Sequence, residues 1–217
     1  MVYLAMDTIE LKRHLSTSLI THLQLMSLLG KSYSNVNDKI ANLVKRGDLI
    51  SLKKGFYVFS EPYRTNPLDL MAVANGLYAP SYISFEYALS MYGMIPEKVI
   101  EITSATSKND KLYDTPIGRF SYKKVPLKAY SLGVDWSFDE FEGGRFFATP
   151  EKALCDKIRY DRGIGTLNQG DMLDYLLEDL RLDFVKPLDA QMIDEIAEAY
   201  RSRNLRTLAV LLRKGKL

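Results

Sequence analysis

The chain has 217 residues, of which 47% are apolar and 26% charged, and a formal net charge of +2. This composition excludes wholesale disorder and collagen-like or low-complexity structure, and the length suffices to bury a core in one large domain or two small ones. One cysteine, Cys155, and two histidines, His14 and His22, exclude an internal disulfide and argue against a structural metal site.

No window approaches about 18 uncharged apolar residues, so no transmembrane span or membrane partner is expected. The first seven residues reach Asp7 without a basic segment, so no signal peptide is read and a cytoplasmic, reducing setting is expected. Residues 1–59 hold eight basic and four acidic side chains, a net +4, whereas the remainder is net −2. A basic first quarter on a faintly acidic body is the footprint of a nucleic-acid-binding module joined to something else.

The first predicted helix covers 7–16, with Asp7 and Glu10 as a capping box and Ile9, Leu11 and Leu15 as its apolar side. A second runs from Thr21 to Leu29 with Leu23, Met26 and Leu29 on one stripe, and ends at Gly30. After the turn Lys31-Ser32-Tyr33 a third spans Ser34 to Arg46. Its stripe is Val36, Ile40, Leu43 and Val44, and Gly47 follows its end. The opposite face carries Ser34, Asn35, Asp38, Asn42 and Lys45, flanked by Lys39 and Arg46. Short polar groups mixed with cations suit a helix that reads base edges and touches phosphate. Asp38 opposes phosphate and is assigned to capping with Asn35. Residues 48–59 read as a hairpin with a Lys53-Lys54-Gly55 tip. Helix, helix–turn–helix, then hairpin is the winged-helix order. The DNA-contacting set is therefore Lys31, Ser32, Ser34, Asn35, Lys39, Asn42, Lys45, Arg46, Lys53 and Lys54.

Glu61–Pro67 punctuates the chain, giving two expected domains, 1–60 and 61–217. Asn66 and Pro67 are read as the start of a helix to Leu77 with Leu68, Met71 and Ala72 inward, and a further helix spans Ser84–Tyr92. Strands are expected at Val99–Ala105, Ile117–Val125, Lys128–Val134 and Arg145–Ala148. The acidic run Asp135–Glu142, interleaved with Trp136, Phe138 and Phe141, reads as an exposed loop or partner patch. Helices follow at 149–160, 168–180, 189–201 and 204–213, the last with Leu205, Leu208, Ala209 and Leu212 inward. The whole is an α+β chain: a winged helix, then an α+β domain with a small sheet and several helices.

Motifs for phosphate loops, dinucleotide binding or a serine nucleophile elbow are absent from the sequence, and both histidines lie in the first 22 residues. No catalytic residue, cofactor or metal is therefore assigned, and Cys155 is read as a small buried hydrophobe. The alternatives are a nuclease-like sheet with Glu101 and Lys123 as first suspects, or a winged helix that docks protein.

Two blocks, Tyr82–Glu97 and Phe147–Lys157, together with Arg46–Ile50 and Gly55–Val58, resemble the AbiEi antitoxin family over nearly the full chain. The resemblance implies a type IV antitoxin of an abortive-infection system whose winged helix represses its own operon at inverted repeats in double-stranded DNA. It also implies that the C-terminal part counters a nucleotidyltransferase-like toxin without forming a stable complex. The nucleotidyltransferase Gly-Ser…Asp-x-Asp pattern is missing, which places the chain on the antitoxin side.

Overall fold

The computed structural model describes residues 6–15, 17–140, 143–183 and 187–215. Ser16, Phe141 and Glu142, which figured in the expected first helix and acidic run, lie outside these residues.

The N-terminal part builds as α1 (Thr8–Arg13), β1 (Ile20–Thr21), α2 (His22–Leu29), α3 (Val36–Lys45), β2 (Leu49–Lys53) and β3 (Phe56–Phe59). Each helix start is set by a side chain that satisfies otherwise orphan amides. Asp7 accepts from the Glu10 amide at 2.7 Å, Thr21 and Gln24 close a reciprocal box, and Asn35 caps α3. The strands form an antiparallel sheet in the order β1-β3-β2, with Ile20 opposite Tyr57 and Thr21 opposite Phe56.

Leu11, Leu15, Ile20, Leu25, Leu29, Val36, Ile40, Leu43, Leu49 and Phe59 make its core. Of the expected α3 stripe, Val36, Ile40 and Leu43 are buried and Val44 is half-buried against the same core. On α2 the expected stripe is corrected: Leu25 and Leu29 are buried, whereas Leu23 is 78% exposed and Met26 is also exposed. Apolar residues occur all round α2, so the helical period alone does not choose a face; docking onto Ile20 and α3 does. Ile9 on α1 is likewise exposed.

The larger part contains α4 (Leu70–Leu77), β4 (Ser81–Ile83), α5 (Phe85–Met91), β5 (Ile102–Thr106), β6 (Lys111–Thr115), β7 (Gly118–Lys124), α6 (Leu127–Tyr130), β8 (Val134–Asp139), β9 (Gly143–Ala148), α7 (Pro150–Tyr160), α8 (Gln169–Asp174), α9 (Ala190–Tyr200) and α10 (Arg203–Arg213). A π-helical turn, Tyr175–Asp179, extends α8. The strands form a six-stranded mixed sheet, β6-β7-β5-β4-β9-β8, parallel at β7/β5 and β4/β9 and antiparallel elsewhere. The chain is thus mixed α+β with two sheets.

Several boundaries differ from expectation. α4 starts at Leu70 because Asp69, not Asn66, accepts from the Met71 and Ala72 amides at 3.0 Å. Its buried residues are Val73, Ala74, Asn75 and Leu77 rather than Leu68, Met71 and Ala72. The strand expected at Lys128–Val134 is instead one helical turn, α6, set off by Pro126 and anchored by buried Ala129. The acidic run is not a loop up to Asp139: it is β8, an edge strand paired with β9. Strands β1, β4 and β6 were not anticipated. On α10, Leu205, Leu208, Ala209 and Leu211 are the buried positions.

The two central blocks meet at α7. Tyr82 and Ser84 donate to Asp156 Oδ2 at 3.1 and 2.7 Å, and Tyr200 donates to Oδ1 at 2.5 Å. Lys152 Nζ lies 2.7 Å from Asp156 Oδ1 and 3.0 Å from the Tyr200 hydroxyl. Tyr92 ties the same blocks by donating to the Ala148 carbonyl at 2.8 Å.

The hairpin joins the two parts. Leu52 and Val58, on strands of the smaller sheet, pack into the larger core with Val73, Leu77 and Tyr122.

Candidate nucleic-acid interface

The face of α3 opposite its buried stripe is exposed at Asn37, Asp38, Ala41, Asn42 and Lys45, and exposure continues through Ser34 and Asn35. Helical spacing places Asn37, Ala41 and Lys45 in one row. Asn37 and Ala41 were missed by the sequence reading, although the i, i+4 continuation from Asn37 through Ala41 to Lys45 was available to find them.

The site residues divide by what already holds them. Asn35 is committed to the helix start: its side-chain oxygen accepts from the Asp38 amide at 3.3 Å and its nitrogen donates to Asp38 Oδ2 at 2.5 Å. Lys39 is half-buried over the Tyr33 ring, 4.6 Å from its centre. Arg46 pairs with Asp48 and donates to Thr8 Oγ1 at 3.2 Å, so its charge is largely answered within the protein. Asp48 is buried, which alone pushes its carboxyl up. Hydrogen bonds from Arg46, Thr8 and Tyr63 more than reverse this and hold it below the usual value of 3.8. The Asp48 partners come from α1, the end of α3 and the Glu61–Tyr63 turn, so this group fixes how α3 is presented.

Lys31, Ser34, Asn37, Asn42, Lys45 and Lys54 are exposed, and their side chains have no hydrogen bond or ion pair among the described residues. Ser32 is half-buried in the turn before α3, where its amide bonds to the Leu29 carbonyl at 2.9 Å.

Lys53 is the main correction at the site. Its ammonium donates to the Leu77 carbonyl and lies 4.2 Å from the Phe56 ring centre and 4.9 Å from that of Tyr113. The cause is a bulge: Ser51 faces Tyr57 and Lys53 faces Phe56, leaving Leu52 extra. Strict alternation would put Lys53 on the exposed side with Ser51; the bulge turns it toward the larger part. Burial, with Lys108 and Lys111 nearby, pushes the Lys53 amine below its usual range. Lys54 alone stands at the tip, where Gly55 adopts φ +83° and its carbonyl accepts from the His22 amide at 2.8 Å.

The alternative suspects, Glu101 and Lys123, line one polar cleft with Glu86, Lys157 and Asp161. Each is answered locally: Glu101 by Arg119 at 3.4 Å, Lys123 by Asp110, and Lys157 by Glu86 and Asp161 at 2.9 Å each. Among the described residues no cluster of three or more histidine, cysteine or acidic side chains could hold a metal ion. Cys155 is fully buried, and burial pushes its thiol up and out of reactivity. Among the described residues no helix is long and apolar enough to cross a membrane.

No family model matches the chain, and no curated protein is detectably similar to it.

Proposed function

We propose that the first sixty residues form a winged helix that binds duplex DNA, with α3 in the major groove and Lys54 at the flanking backbone. The observation that carries this reading is the exposed set Asn37, Asn42 and Lys45 on α3, whose side chains have no partner among the described residues, set opposite buried Val36, Ile40 and Leu43 and presented by the Arg46–Asp48 anchor. The order α1-β1-α2-α3-β2-β3 with a β1-β3-β2 sheet supports it, because it is the winged-helix order of elements. Asn37 and Asn42 would set sequence preference through base edges, and Lys31, Lys45 and Lys54 would set affinity through phosphate.

The test is selection of duplexes from a randomised library, followed by titration of the selected and a scrambled duplex. Asn42→Ala should narrow the difference between them, at roughly 1–3 kcal/mol per lost bidentate contact. Equal loss on both duplexes would contradict a reading role. A role as the antitoxin of a type IV system, repressing its own operon, is proposed on the two central blocks alone. Co-expression with a nucleotidyltransferase-like toxin tests it: rescue of growth by residues 61–217 supports it, and no rescue by the full chain contradicts it.

A further inference from the structure

A cleft of about 910 Å³ runs between the N-terminal part and the larger sheet. Its walls come from Leu19 and Thr21 on one side and from α4, Pro80 and the β8–β9 hairpin on the other. This size and this position between packed units are those of small-molecule sites. We propose that the cleft binds a small, flat heteroaromatic molecule of nucleoside size that carries no phosphate.

Three features define that chemistry. Trp136 and Phe146 face each other across the hairpin and are 60% and 49% exposed, which is costly for two large rings unless something stacks on them. Asn75 and Ser81 line the same cleft at 8% and 4% exposure, and among the described residues Asn75 Nδ2 and Ser81 Oγ have no hydrogen-bond partner. The Asn75 carbonyl oxygen is taken by the Phe146 amide at 2.6 Å, so the arm left over is the NH₂ donor. Buried donors without acceptors are rare in folded proteins, and a ring nitrogen or exocyclic oxygen supplies what is missing. Finally, among the described residues the lining carries one carboxylate, Asp135, and no lysine or arginine. A neutral or cationic ring is tolerated there; a phosphate is repelled and finds no counter-charge.

Trp136 is the only tryptophan of the chain, so its emission reports occupancy directly. The probes are adenosine, guanosine, cytidine and uridine, and then their 5′-monophosphates, titrated against the full chain. The expected result is saturable quenching by at least one nucleoside, with its monophosphate binding at least tenfold more weakly. Asn75→Asp keeps the acceptor for the Phe146 amide but removes the donor, and should weaken that nucleoside at least tenfold. Should Asn75→Asp fail to fold, Ser81→Ala, which removes only a hydroxyl, should weaken binding several-fold with an unchanged circular dichroism spectrum. No quenching by any of the four nucleosides up to millimolar concentration, equal binding of the monophosphate, or binding indifferent to both substitutions would overturn the proposal. The readout involves no DNA, so its outcome is independent of the function proposed above.

Discussion

The Lys53 ammonium and the Leu77 carbonyl are hydrogen-bonded across the junction between the hairpin and the end of α4. One of the two lysines at the hairpin turn therefore holds the protein together, and the other faces solvent. The two substitutions should separate cleanly. Lys54→Ala should reduce the slope of log affinity against log salt by about one unit, the share of a single phosphate contact. Lys53→Ala should leave that slope unchanged and lower the melting temperature instead. Salt-dependent anisotropy titrations of both variants decide this, and a slope that changes only in Lys53→Ala would reverse the assignment.

The depressed Lys53 amine has a consequence for alkaline stability. Burial, and after it Lys108 and Lys111, disfavour its charged form in the folded state. A lowered folded value means that the unfolded chain binds the extra proton, so this group's contribution to stability rises with pH between the folded value and the usual 10.5. A neutral amine still donates to Leu77. Denaturant unfolding of wild type and Lys53→Met across that window should show the difference between them shifting toward wild type as pH rises; a constant difference would contradict the shift.

Asp48 has the opposite sign. Its folded value lies below 3.8, so the stability it contributes is present above that pH and is lost as pH falls through the folded value. Asp48→Asn should flatten the acid limb of the stability curve and, by loosening Thr8, Arg46 and Tyr63, weaken DNA binding without changing the salt slope. The acid titration followed by circular dichroism checks the first part.

Lys152 and Asp156 form an ion pair on successive turns of α7 with both side chains at 0% exposure. Lys152→Met leaves the carboxylate uncompensated and should cost about 3–5 kcal/mol of stability. Made in an Asp156→Asn background the same change should cost far less, because the buried charge is already gone. Additive losses in this cycle would mean that the pair is not coupled.

How much of this was legible in the sequence depended on contrast. Val36, Ile40 and Leu43 stand out on α3 because, Ala41 apart, the residues between them are polar, and the buried face followed directly. On α2, Leu23, Leu25, Met26, Leu28 and Leu29 are all apolar, so no period singles out Leu25 and Leu29. Lys53 was misplaced because an extra residue, Leu52, breaks the alternation that a strand pattern assumes. The cleft was invisible: Leu19, Asn75, Ser81 and Trp136 are brought together only by the way the hairpin and α4 pack, and nothing local marks them. Tyr82 and Ser84 of one central block and Lys152 and Asp156 of the other meet, with Tyr200, in one buried network, a contact that no local pattern in the sequence announces.

On the function proposed above, α3 seats itself in duplex DNA. Backbone amide shifts of isotope-labelled protein, followed as a library-selected duplex is added at low ionic strength, test it most directly. Perturbations concentrated at Ser34–Lys45, with a smaller set at Lys54, are the predicted result. A spectrum that does not change, or changes confined to the larger part with α3 untouched, would contradict it.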